Sequence, residues 1–419
     1  MQKLIIKGKK KLSGSIIVSG SKNASLPILA ASILNTKPLT LKNIPLVNDV
    51  FTMIELLKFI GLKVEVKKSI NTLKISRKSK KLLTVAPYKL LKTMRAGVLV
   101  LGPLLAKFHK AKVSLPGGCA IGTRPVDLHL FALEKLGAKI KIKSGYIHAT
   151  AKKGLIGNKI IFPSISVGAT ENAILAAACA QGTSVISNCA IEPEILDMIS
   201  FLNKMGCSIK LIGKRKIKII GSVDLKSTTH KVIFDRIELG TYLIAATLIG
   251  KNIKFSKVNP RIIKNEIKIL KKMGVKMKLE KNKILVYETK SIKKISIKTE
   301  PYPGFPTDLQ AQMMVLMSRA NGMSTIKENI FENRFMHVPE LRRMGAKIKT
   351  SQNKAYITGP VNLSGAEVMA TDLRASVSLV LAGLIAKNRT TINRVYHLDR
   401  GYENLEKKLK KCKANIKRI

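Results

Sequence analysis

The chain has 419 residues, of which 46% are hydrophobic, and this is enough to bury the cores of more than one domain. Its 76 Lys and Arg far outnumber its 25 Asp and Glu, and the formal net charge is +51. These values exclude a disordered chain and a miniature scaffold, whereas the charge leaves a nucleic-acid-binding protein open.

The basic residues are spread along the chain instead of forming a tail or a stripe. Lys alternates with Ile in segments 140–143, 216–219 and 295–298, as expected on the solvent side of half-buried strands. Aromatic residues make up only 5% of the chain and Trp is absent, so stacking platforms for single-stranded nucleic acid are scarce. We therefore expect no specific nucleic-acid partner, and a non-enzymatic nucleic-acid-binding protein is the rival hypothesis from a different class.

The first 20 residues predict a basic strand pair and lack the continuous apolar stretch of a signal peptide. The longest apolar runs, such as 379–386, are much shorter than the roughly 18 residues that a membrane span needs. No CxxC pair occurs among the cysteines, and the histidines show no H-x-x-x-H spacing, so we predict a reduced compartment and no metal. No phosphate-binding or dinucleotide-binding glycine motif occurs either. We expect a cytoplasmic protein without cofactor or membrane contact.

One short pattern occurs six times along the chain, at a spacing of about 70 residues. Each copy consists of the end of an amphipathic helix, a turn residue and an alternating strand, and the turn residues are Gly61, Gly137, Gly206, Gly274, Gly345 and, in the last copy, Lys413. Glycine at this place is typical of a left-handed helix C-cap. Each repeat is therefore expected to be a small α/β module.

A second helix accompanies each copy and is rich in small and apolar residues on most of its faces, which predicts an interior position. The six predicted helices span residues 23–34, 93–107, 170–181, 238–250, 308–320 and 373–387. Such modules predict an α/β architecture in which helices form the core and sheets lie outside. The polar stretch 221–231 divides the six modules into two lobes of three, and ligands favour the crevice between such lobes.

Charged and polar side chains recur at the starts of these helices. Lys22, Asn23, Arg95, Ser166, Val167, Asp308, Asp372 and Arg374 precede or open the interior helices, and Arg124, Arg334 and Arg400 lie in loops before the amphipathic ones. Helix N-termini carry free backbone N–H groups and a positive dipole, so added cations make an anion-binding site. Arg adds bidentate geometry for carboxylate or phosphate. The recurrence favours this hypothesis over isolated surface salt bridges.

Segment 115–129 is rich in Gly and Pro, which predicts an irregular surface loop. Cys119, close in sequence to Arg124, is there a candidate reactive thiol with access to a ligand. Cys179, by contrast, lies in an Ala-rich helix and is typical of a buried structural thiol. For Asp308 two hypotheses stay open: a helix N-cap worth about 1 kcal/mol, or a catalytic carboxylate. Asp372 has the same ambiguity.

These segments closely resemble the UDP-N-acetylglucosamine 1-carboxyvinyltransferase family of enolpyruvyl transferases, essentially from end to end. The matching motifs span residues 20–24, 92–96, 115–119, 122–129, 166–170, 305–308, 331–337, 370–375 and 397–402. The resemblance implies a two-lobed inside-out α/β barrel of six βαβαββ-type units. It also implies that residues 1–21 and 232–419 form a C-terminal lobe with the catalytic Asp and Arg residues. Residues 22–231 would form an N-terminal lobe with the Cys loop and the UDP-sugar contacts.

The resemblance further implies that phosphoenolpyruvate donates its enolpyruvyl group to the 3-hydroxyl of UDP-N-acetylglucosamine, with phosphate released. The reaction would proceed by addition and elimination through a tetrahedral intermediate, as the first committed step of peptidoglycan synthesis. Lys22, Arg124 and Arg400 would hold the phosphate and carboxylate of the donor. Cys119 would protonate or covalently capture the enolpyruvyl group. Asp308 would accept or orient the proton of the sugar hydroxyl.

Further residues of the family pattern surround these. Arg95, Arg334, Asp372 and Arg374 belong to the implied cationic cleft, Asn23 touches the sugar or intermediate, and the implied UDP-sugar contacts are Arg124, Pro125, Val126, Asp127, Leu128, Ser164, Ile165, Ser166, Val167, Asp308 and Ile330. Asn48 and Ser164 stand where the family often has Lys, which weakens particular anion contacts. The nearest rival within the fold is a 5-enolpyruvylshikimate-3-phosphate synthase. The Cys119 loop and the UDP-sugar segment argue against it.

Overall fold

Four-stranded sheets of a single design recur six times in the part of the chain that a computed structural model describes, residues 2–78, 82–117 and 126–419. In each sheet an edge strand lies parallel to its neighbour, and the other two pairings are antiparallel. The six repeats of the sequence are therefore six repeats of structure, and the predicted α/β modules are confirmed.

The strands and helices follow one another in the same order in successive repeats. In chain order the strands are β1 Leu4–Lys7, β2 Leu12–Ile17, β3 Leu39–Lys42, β4 Leu62–Lys67, β5 Thr72–Arg77, β6 Val85–Ala86, β7 Lys110–Ser114, β8 Lys139–Lys143, β9 Tyr146–Thr150, β10 Lys159–Ile161, β11 Thr183–Ser187, β12 Ser208–Gly213, β13 Lys216–Ile220, β14 Thr228–Lys231, β15 Gly250–Ser256, β16 Met277–Glu280, β17 Lys283–Val286, β18 Ser296–Lys298, β19 Gly322–Lys327, β20 Lys347–Ser351, β21 Lys354–Gly359, β22 Glu367–Met369, β23 Arg389–Asn393 and β24 Asn415–Arg418. The helices are α1 Lys22–Ala31, α2 Asn48–Ile60, α3 Tyr88–Leu91, α4 Leu101–Phe108, α5 Asp127–Lys135, α6 Val167–Ala177, α7 Pro193–Lys204, α8 Arg236–Ile249, α9 Lys264–Lys272, α10 Gln310–Met317, α11 Val338–Arg343, α12 Leu373–Ile385 and α13 Leu405–Lys411. Short 3₁₀ segments include Arg95–Val100, Thr307–Leu309 and Val395–Arg400.

The described residues divide into two units, each with three of the sheets and its own buried core. We call them the N-terminal unit, residues 20–78, 82–117 and 126–233, and the C-terminal unit, residues 2–19 and 234–419. The first two strands belong to the C-terminal unit, because β1 pairs with β23 and β24 while β2 pairs with β15.

The sheet orders are equivalent in the two units. They are β14-β3-β5-β4, β6-β7-β9-β8 and β10-β11-β13-β12 in the N-terminal unit, and β22-β23-β1-β24, β16-β17-β15-β2 and β18-β19-β21-β20 in the C-terminal unit. The first strand of each order is the parallel edge strand except in the sheet of β16, where β2 takes that place. Parallel neighbours need a crossover connection, and helices supply it between β6 and β7, β10 and β11, β18 and β19, and β22 and β23.

The Lys/Ile alternation of the sequence produces one buried and one exposed sheet face in most strands. In β13, Ile217 and Ile219 are fully buried, while Lys216 and Lys218 are exposed. The prediction is wrong in part for the edge strand β8, where Ile142 is 56% exposed. An edge strand has a neighbour on one side only, so its alternation does not guarantee burial.

The six small-residue helices are interior, as predicted. In α10 all eight residues are buried, and in α12 every residue from Leu373 to Leu384 is buried. Small side chains and apolar faces all round allow other helices to approach from every direction. No helix among the described residues is long and apolar enough to cross a membrane.

The predicted left-handed caps are confirmed at every copy of the repeat. Gly61, Gly137, Gly206, Gly274 and Gly345 have φ values between 93° and 115°. Lys413 takes the same place with φ 72°, a conformation that costs a side chain roughly 1–2 kcal/mol. The turn geometry is thus imposed by the module and not by glycine alone.

Candidate active site

Asp308 is held by two buried arginines in the C-terminal unit. Its Oδ1 accepts a hydrogen bond from Nη2 of Arg334 at 2.8 Å, and its Oδ2 accepts one from Nη2 of Arg374 at 2.7 Å. The arginine side chains are 4% and 8% exposed, whereas that of Asp308 is 26% exposed. Three residues predicted from separate motifs therefore meet, and the carboxylate is the part of this group that solvent reaches.

Asp308 lies in the 3₁₀ segment Thr307–Leu309 before α10, and α10 has no side-chain N-cap. Its carboxylate bonds to guanidinium groups and not to the free N–H groups of the helix. Asp372, in contrast, is the N-cap of α12, because its Oδ1 accepts from the backbone N–H groups of Arg374 and Ala375. The structure thus gives different structural positions to two aspartates that the sequence left equivalent.

A buried polar network supports this pair of arginines. Nη1 of Arg374 lies 3.4 Å from the hydroxyl of Tyr402, which lies 2.8 Å from Oγ1 of Thr241. Gln312 donates to the backbone carbonyl of Asp308 and to Thr241. Burial lowers the pKa of Arg374, but Asp308, Tyr402 and Asp235 together outweigh this effect and the net pKa is raised. Arg374 is accordingly a permanent cation in this site.

Arg334 presents a second feature suited to an anionic ligand. Its guanidinium lies over the ring of Phe331, with 5.7 Å to the centroid, and its buried Nε has no hydrogen-bond partner among the described residues. Next to it, burial lowers the pKa of His337 to about 4, with Asp372 opposing and Arg334 reinforcing the shift. His337 is therefore neutral at physiological pH, so that the arginines supply the positive charge here.

In the N-terminal unit, Lys22 is the first residue of α1, whose N-cap is Ser21. Its Nζ lies 3.1 Å from Oδ2 of Asp49, and the two side chains are 12% and 7% exposed. Asn23 follows on the first turn and is half-buried. A cation at a helix N-terminus adds to the dipole field, and Asp49 stabilises that arrangement.

Arg95 opens the 3₁₀ segment Arg95–Val100 and is half-buried. Burial, and then the charge of Arg95, lower the pKa of the neighbouring His129 to about 4. Nδ1 of His129 lies 3.1 Å from Nδ2 of Asn172, whose Oδ1 accepts from the backbone N–H of Gly102. The amide can therefore donate to Nδ1, which fits a neutral imidazole protonated at Nε2.

The predicted UDP-sugar positions lie at the starts of α5 and α6 and near β19. Val126 is the buried residue before α5, and Asp127 and Leu128 form its first turn. Ser164 is exposed, and Ile165 and Ser166 are half-buried. Ser166 caps α6 by accepting from Ala169, and Val167 is 38% exposed. Ile330, in the other unit, is half-buried.

Of the remaining predicted residues, Arg400 and Asn48 are described by the structure, and three others are not. Arg400 ends the 3₁₀ segment Val395–Arg400 and is half-buried. Cys119, Arg124 and Pro125 lie outside the described residues. Asn48 is the first residue of α2, next to Asp49, and is exposed.

The polar residues that support the site have no assigned role in the sequence analysis. Thr241, Gln312 and Glu328 lie outside the matching motifs, whereas His129 and Tyr402 lie in the motifs 122–129 and 397–402. One signal was available, because Gln310 and Gln312 interrupt a helix whose other residues are all apolar. Buried amides need hydrogen-bond partners, so such positions indicate a polar network. Within the described ranges, no group of three or more His, Cys, Asp or Glu could hold a metal ion.

Comparison with known proteins identifies the family. The family model of EPSP synthase (3-phosphoshikimate 1-carboxyvinyltransferase) matches residues 6–409. Over the full length of both chains, the protein is 61% identical to the UDP-N-acetylglucosamine 1-carboxyvinyltransferase of Pelagibacter ubique, and a 51% match to that of Rickettsia prowazekii also covers both chains completely.

Solved structures share the fold. The enolpyruvyl transferase NikO from Streptomyces tendae is 22% identical, with a TM-score of 0.88 over 100% of this chain and 98% of that one. The EPSP synthase of Acinetobacter baumannii is 17% identical, with a TM-score of 0.77 over 100% and 99% of the two chains. The two-domain inside-out α/β fold is therefore confirmed, and by its full-length identity the chain belongs to the UDP-N-acetylglucosamine 1-carboxyvinyltransferase family of enolpyruvyl transferases.

Proposed function

We propose that this protein transfers the enolpyruvyl group of phosphoenolpyruvate to the 3-hydroxyl of UDP-N-acetylglucosamine and releases phosphate. The observation that carries the proposal is the 61% identity, over the whole of both chains, to a relative of that name. The reaction is the first committed step of peptidoglycan synthesis. Cell-wall formation, cell shape and cell division depend on that step, and the cytoplasm is the proposed location of the protein.

In this reaction the sugar oxygen adds to C2 of phosphoenolpyruvate while C3 gains a proton. The tetrahedral intermediate then loses phosphate from C2 and a proton from C3, which restores the double bond. The phosphate and carboxylate of the donor are anionic throughout, so fixed cations stabilise both ground and transition states, and only the charge that develops during addition is stabilised differentially.

Asp308 takes the proton of the 3-hydroxyl or orients that hydroxyl for attack. Its oxygens accept hydrogen bonds from two arginines. Its side chain is 26% exposed, which is where a substrate hydroxyl reaches the carboxylate. Arg334 and Arg374 hold the carboxylate in one orientation, as general-base catalysis requires.

Lys22, Arg124 and Arg400 hold the anionic groups of phosphoenolpyruvate, and Arg95, Arg334, Asp372 and Arg374 complete the charged surroundings. The position of Lys22 on the first turn of α1, paired with Asp49, supports its part in this set. Cys119 protonates or captures the enolpyruvyl group as a pyruvate adduct, by resemblance to the family. Asn23, Ile330 and residues 124–128 and 164–167 contact the UDP-sugar.

The decisive experiment is phosphate release by the purified protein, given phosphoenolpyruvate with UDP-N-acetylglucosamine and, separately, with shikimate 3-phosphate. Release that depends on the UDP-sugar is the expected result and supports both donor and acceptor. Release with shikimate 3-phosphate alone would preserve the donor and overturn the acceptor. Release with neither would contradict the proposed reaction and bring forward the nucleic-acid hypothesis, which salt-sensitive binding to DNA would then test.

A further inference from the structure

Glu328 is a buried carboxylate, 2% exposed, to which the proposed reaction gives no role. Its Oε1 accepts hydrogen bonds from Oγ1 of Thr299 at 2.9 Å, from the backbone N–H of Ile330 at 2.9 Å and from that of Phe331 at 3.2 Å. Its Oε2 accepts from Oγ1 of Thr307 at 2.9 Å. The side chain thus binds three separate stretches of the C-terminal unit at once.

One of these stretches adjoins Glu328 in sequence, the other two lie 29 and 21 residues before it, and all three lead to the Asp308 group. Thr299 follows β18 and its Oγ1 also accepts from the backbone N–H of Asn329 at 2.9 Å. Thr307 immediately precedes Asp308, and its carbonyl lies 3.4 Å from Nη2 of Arg334. Glu328 therefore connects the turn of the proposed base to the loop that leads into its arginine partner.

The hydrogen bonds to Glu328 are more numerous than a side chain buried only for packing needs. An ionised carboxylate loses hydration on burial and is tolerated only when hydrogen bonds replace it. Four donors converge on Glu328, and bonds to a charged acceptor are roughly twice as strong as neutral ones. Such a group fixes the relative position of the segments that it joins.

We propose that Glu328 is a positioning residue that holds Asp308, through Thr307, and the UDP-sugar contact Ile330 in fixed register. The inference rests on the proposed function. Glu328 does not touch the reacting atoms in this scheme; it sets where the carboxylate of Asp308 lies relative to the sugar hydroxyl. Misplacement of a reacting group by about 1 Å costs on the order of 100-fold in rate.

The test separates the hydrogen bond to Oε2 of Glu328 from those to Oε1. Thr307→Val removes the hydroxyl that reaches Oε2, while Thr307→Ser retains it. We expect Thr307→Val to lower kcat about 10- to 100-fold with the KM for phosphoenolpyruvate nearly unchanged, and Thr307→Ser to restore most of the rate. Glu328→Gln weakens the hydrogen bonds at both carboxylate oxygens. It should therefore also raise the KM for UDP-N-acetylglucosamine, because Ile330 is the proposed sugar contact. The matched control is Thr325→Val on β19, whose hydroxyl bonds only the exposed Ser296.

A merely structural role predicts a different result. It would lower the melting temperature and the yield of folded enzyme while kcat per folded molecule and both KM values stayed at the wild-type level. That outcome, or equal losses from Thr307→Val and Thr307→Ser, would overturn the proposal. Amide hydrogen exchange provides a readout without turnover, because Glu328→Gln should speed exchange at Ile330 and Phe331 while Thr325→Val should not.

The two proposals can fail separately. If the wild-type protein released no phosphate with UDP-N-acetylglucosamine, the proposed function would fail, and hydrogen exchange would still decide whether Glu328 fixes these segments. If the wild type is active and the Glu328→Gln protein has wild-type kcat, KM values and exchange, the positioning role is wrong while the function stands.

Discussion

At the scale of single residues, hydrogen-bond partners decide what an aspartate does. The carboxylate of Asp372 accepts hydrogen bonds from the N–H groups that begin α12. Capping of this kind stabilises a helix by about 1 kcal/mol. Asp308 instead faces two guanidinium groups and keeps a part of its carboxylate exposed. The difference separates a helix cap from a candidate base.

We expect Asp308→Asn to lower kcat by at least about 100-fold, because an amide cannot take a proton from the sugar hydroxyl. The buried arginines would lose their counter-charge, so a modest fall in melting temperature should accompany the loss. Phosphate release and thermal unfolding measure the two effects. Asp224→Asn, which removes an 81% exposed carboxylate, is the control for loss of one charge and should match wild type. Wild-type turnover by Asp308→Asn would exclude a base role.

The thiols differ by burial. Cys189, Cys207 and Cys412 are buried and Cys179 is half-buried. Burial raises the pKa of Cys179 to about 11, of Cys189 to about 11 and of Cys207 to about 12. The thiolate is the nucleophilic form, so these groups are unreactive at neutral pH.

By resemblance to the family, which carries a Cys at this position, we expect fosfomycin, an epoxide-bearing phosphonate, to add to Cys119 near pH 7 and to none of the four buried or half-buried thiols. Intact-mass spectrometry followed by peptide mapping tests this prediction, with Cys119→Ser as the control that should take up no adduct. An adduct on any other cysteine, with Cys119 free, would refute the assignment.

At the scale of elements, each repeat ends its amphipathic helix in a left-handed residue, and five of the six are glycine. Lys413 carries a side chain into this conformation at φ 72°. This conformation is unfavourable for a lysine, and its effect on stability can be measured without changing the candidate site.

We expect Lys413→Gly to raise the free energy of unfolding by about 1 kcal/mol, since glycine adopts this conformation without steric cost. Chemical denaturation gives the value. Lys417→Gly on β24 removes the same charge from an exposed strand position and should lower stability, because glycine is unfavourable in a strand. Equal effects of the two substitutions would show that charge, and not conformation, was responsible.

His129 links α5 to α6 as a neutral buried imidazole. Burial lowers the pKa of His129 in the folded protein to about 4, below the ordinary histidine value of about 6.5. Between these values the unfolded chain binds a proton that the folded chain does not, so this contribution to stability is complete above about pH 6.5 and is lost as the pH falls toward 4.

The stability that wild type loses between about pH 7 and about pH 5 should therefore exceed the loss in His129→Gln by about 2 kcal/mol. Urea unfolding at the two pH values provides the comparison. His148→Gln on β9, which removes a half-exposed imidazole, controls for the substitution itself. An identical pH dependence in His129→Gln and wild type would contradict a depressed pKa at His129.

At the scale of the whole molecule, the net charge of +51 is carried by exposed lysines on the outer strands and loops. Charges of one sign repel one another in a folded chain, and salt screens this repulsion over a Debye length of about 10 Å at 0.1 M. A positive field of this kind speeds the approach of anionic substrates, and we expect polyanions to bind nonspecifically at low salt.

The melting temperature should therefore rise when the salt concentration increases from about 0.02 M to about 0.3 M, since screening relieves self-repulsion. Differential scanning calorimetry in NaCl and, in parallel, KCl separates general screening from the effect of a particular ion. A melting temperature that stays constant or falls in both salts would show that repulsion between like charges does not lower the stability of the folded protein.

Patterns within one repeat were sufficient to predict much of this protein. Glycine caps, the Lys/Ile alternation and small-residue helices are local features, because each follows from the backbone and burial preferences of consecutive residues. They predicted the six modules and the interior helices, and the motifs at the helix starts located Asp308, Arg334 and Arg374 as candidates.

Only the tertiary structure decided which of these residues meet. Asp308 and Arg374 are in different modules, β1 pairs with two strands from the opposite end of the chain, and no local pattern specifies such contacts. Residues 2–19 belong to the C-terminal unit through the pairing of β1 with β23 and β24 and of β2 with β15, and the repeat pattern specifies none of these pairings. The role of Glu328 depends on four donors from three stretches of chain. Hydrogen bonds between distant segments depend on how the modules pack, and packing is a property of the whole unit and not of any one segment.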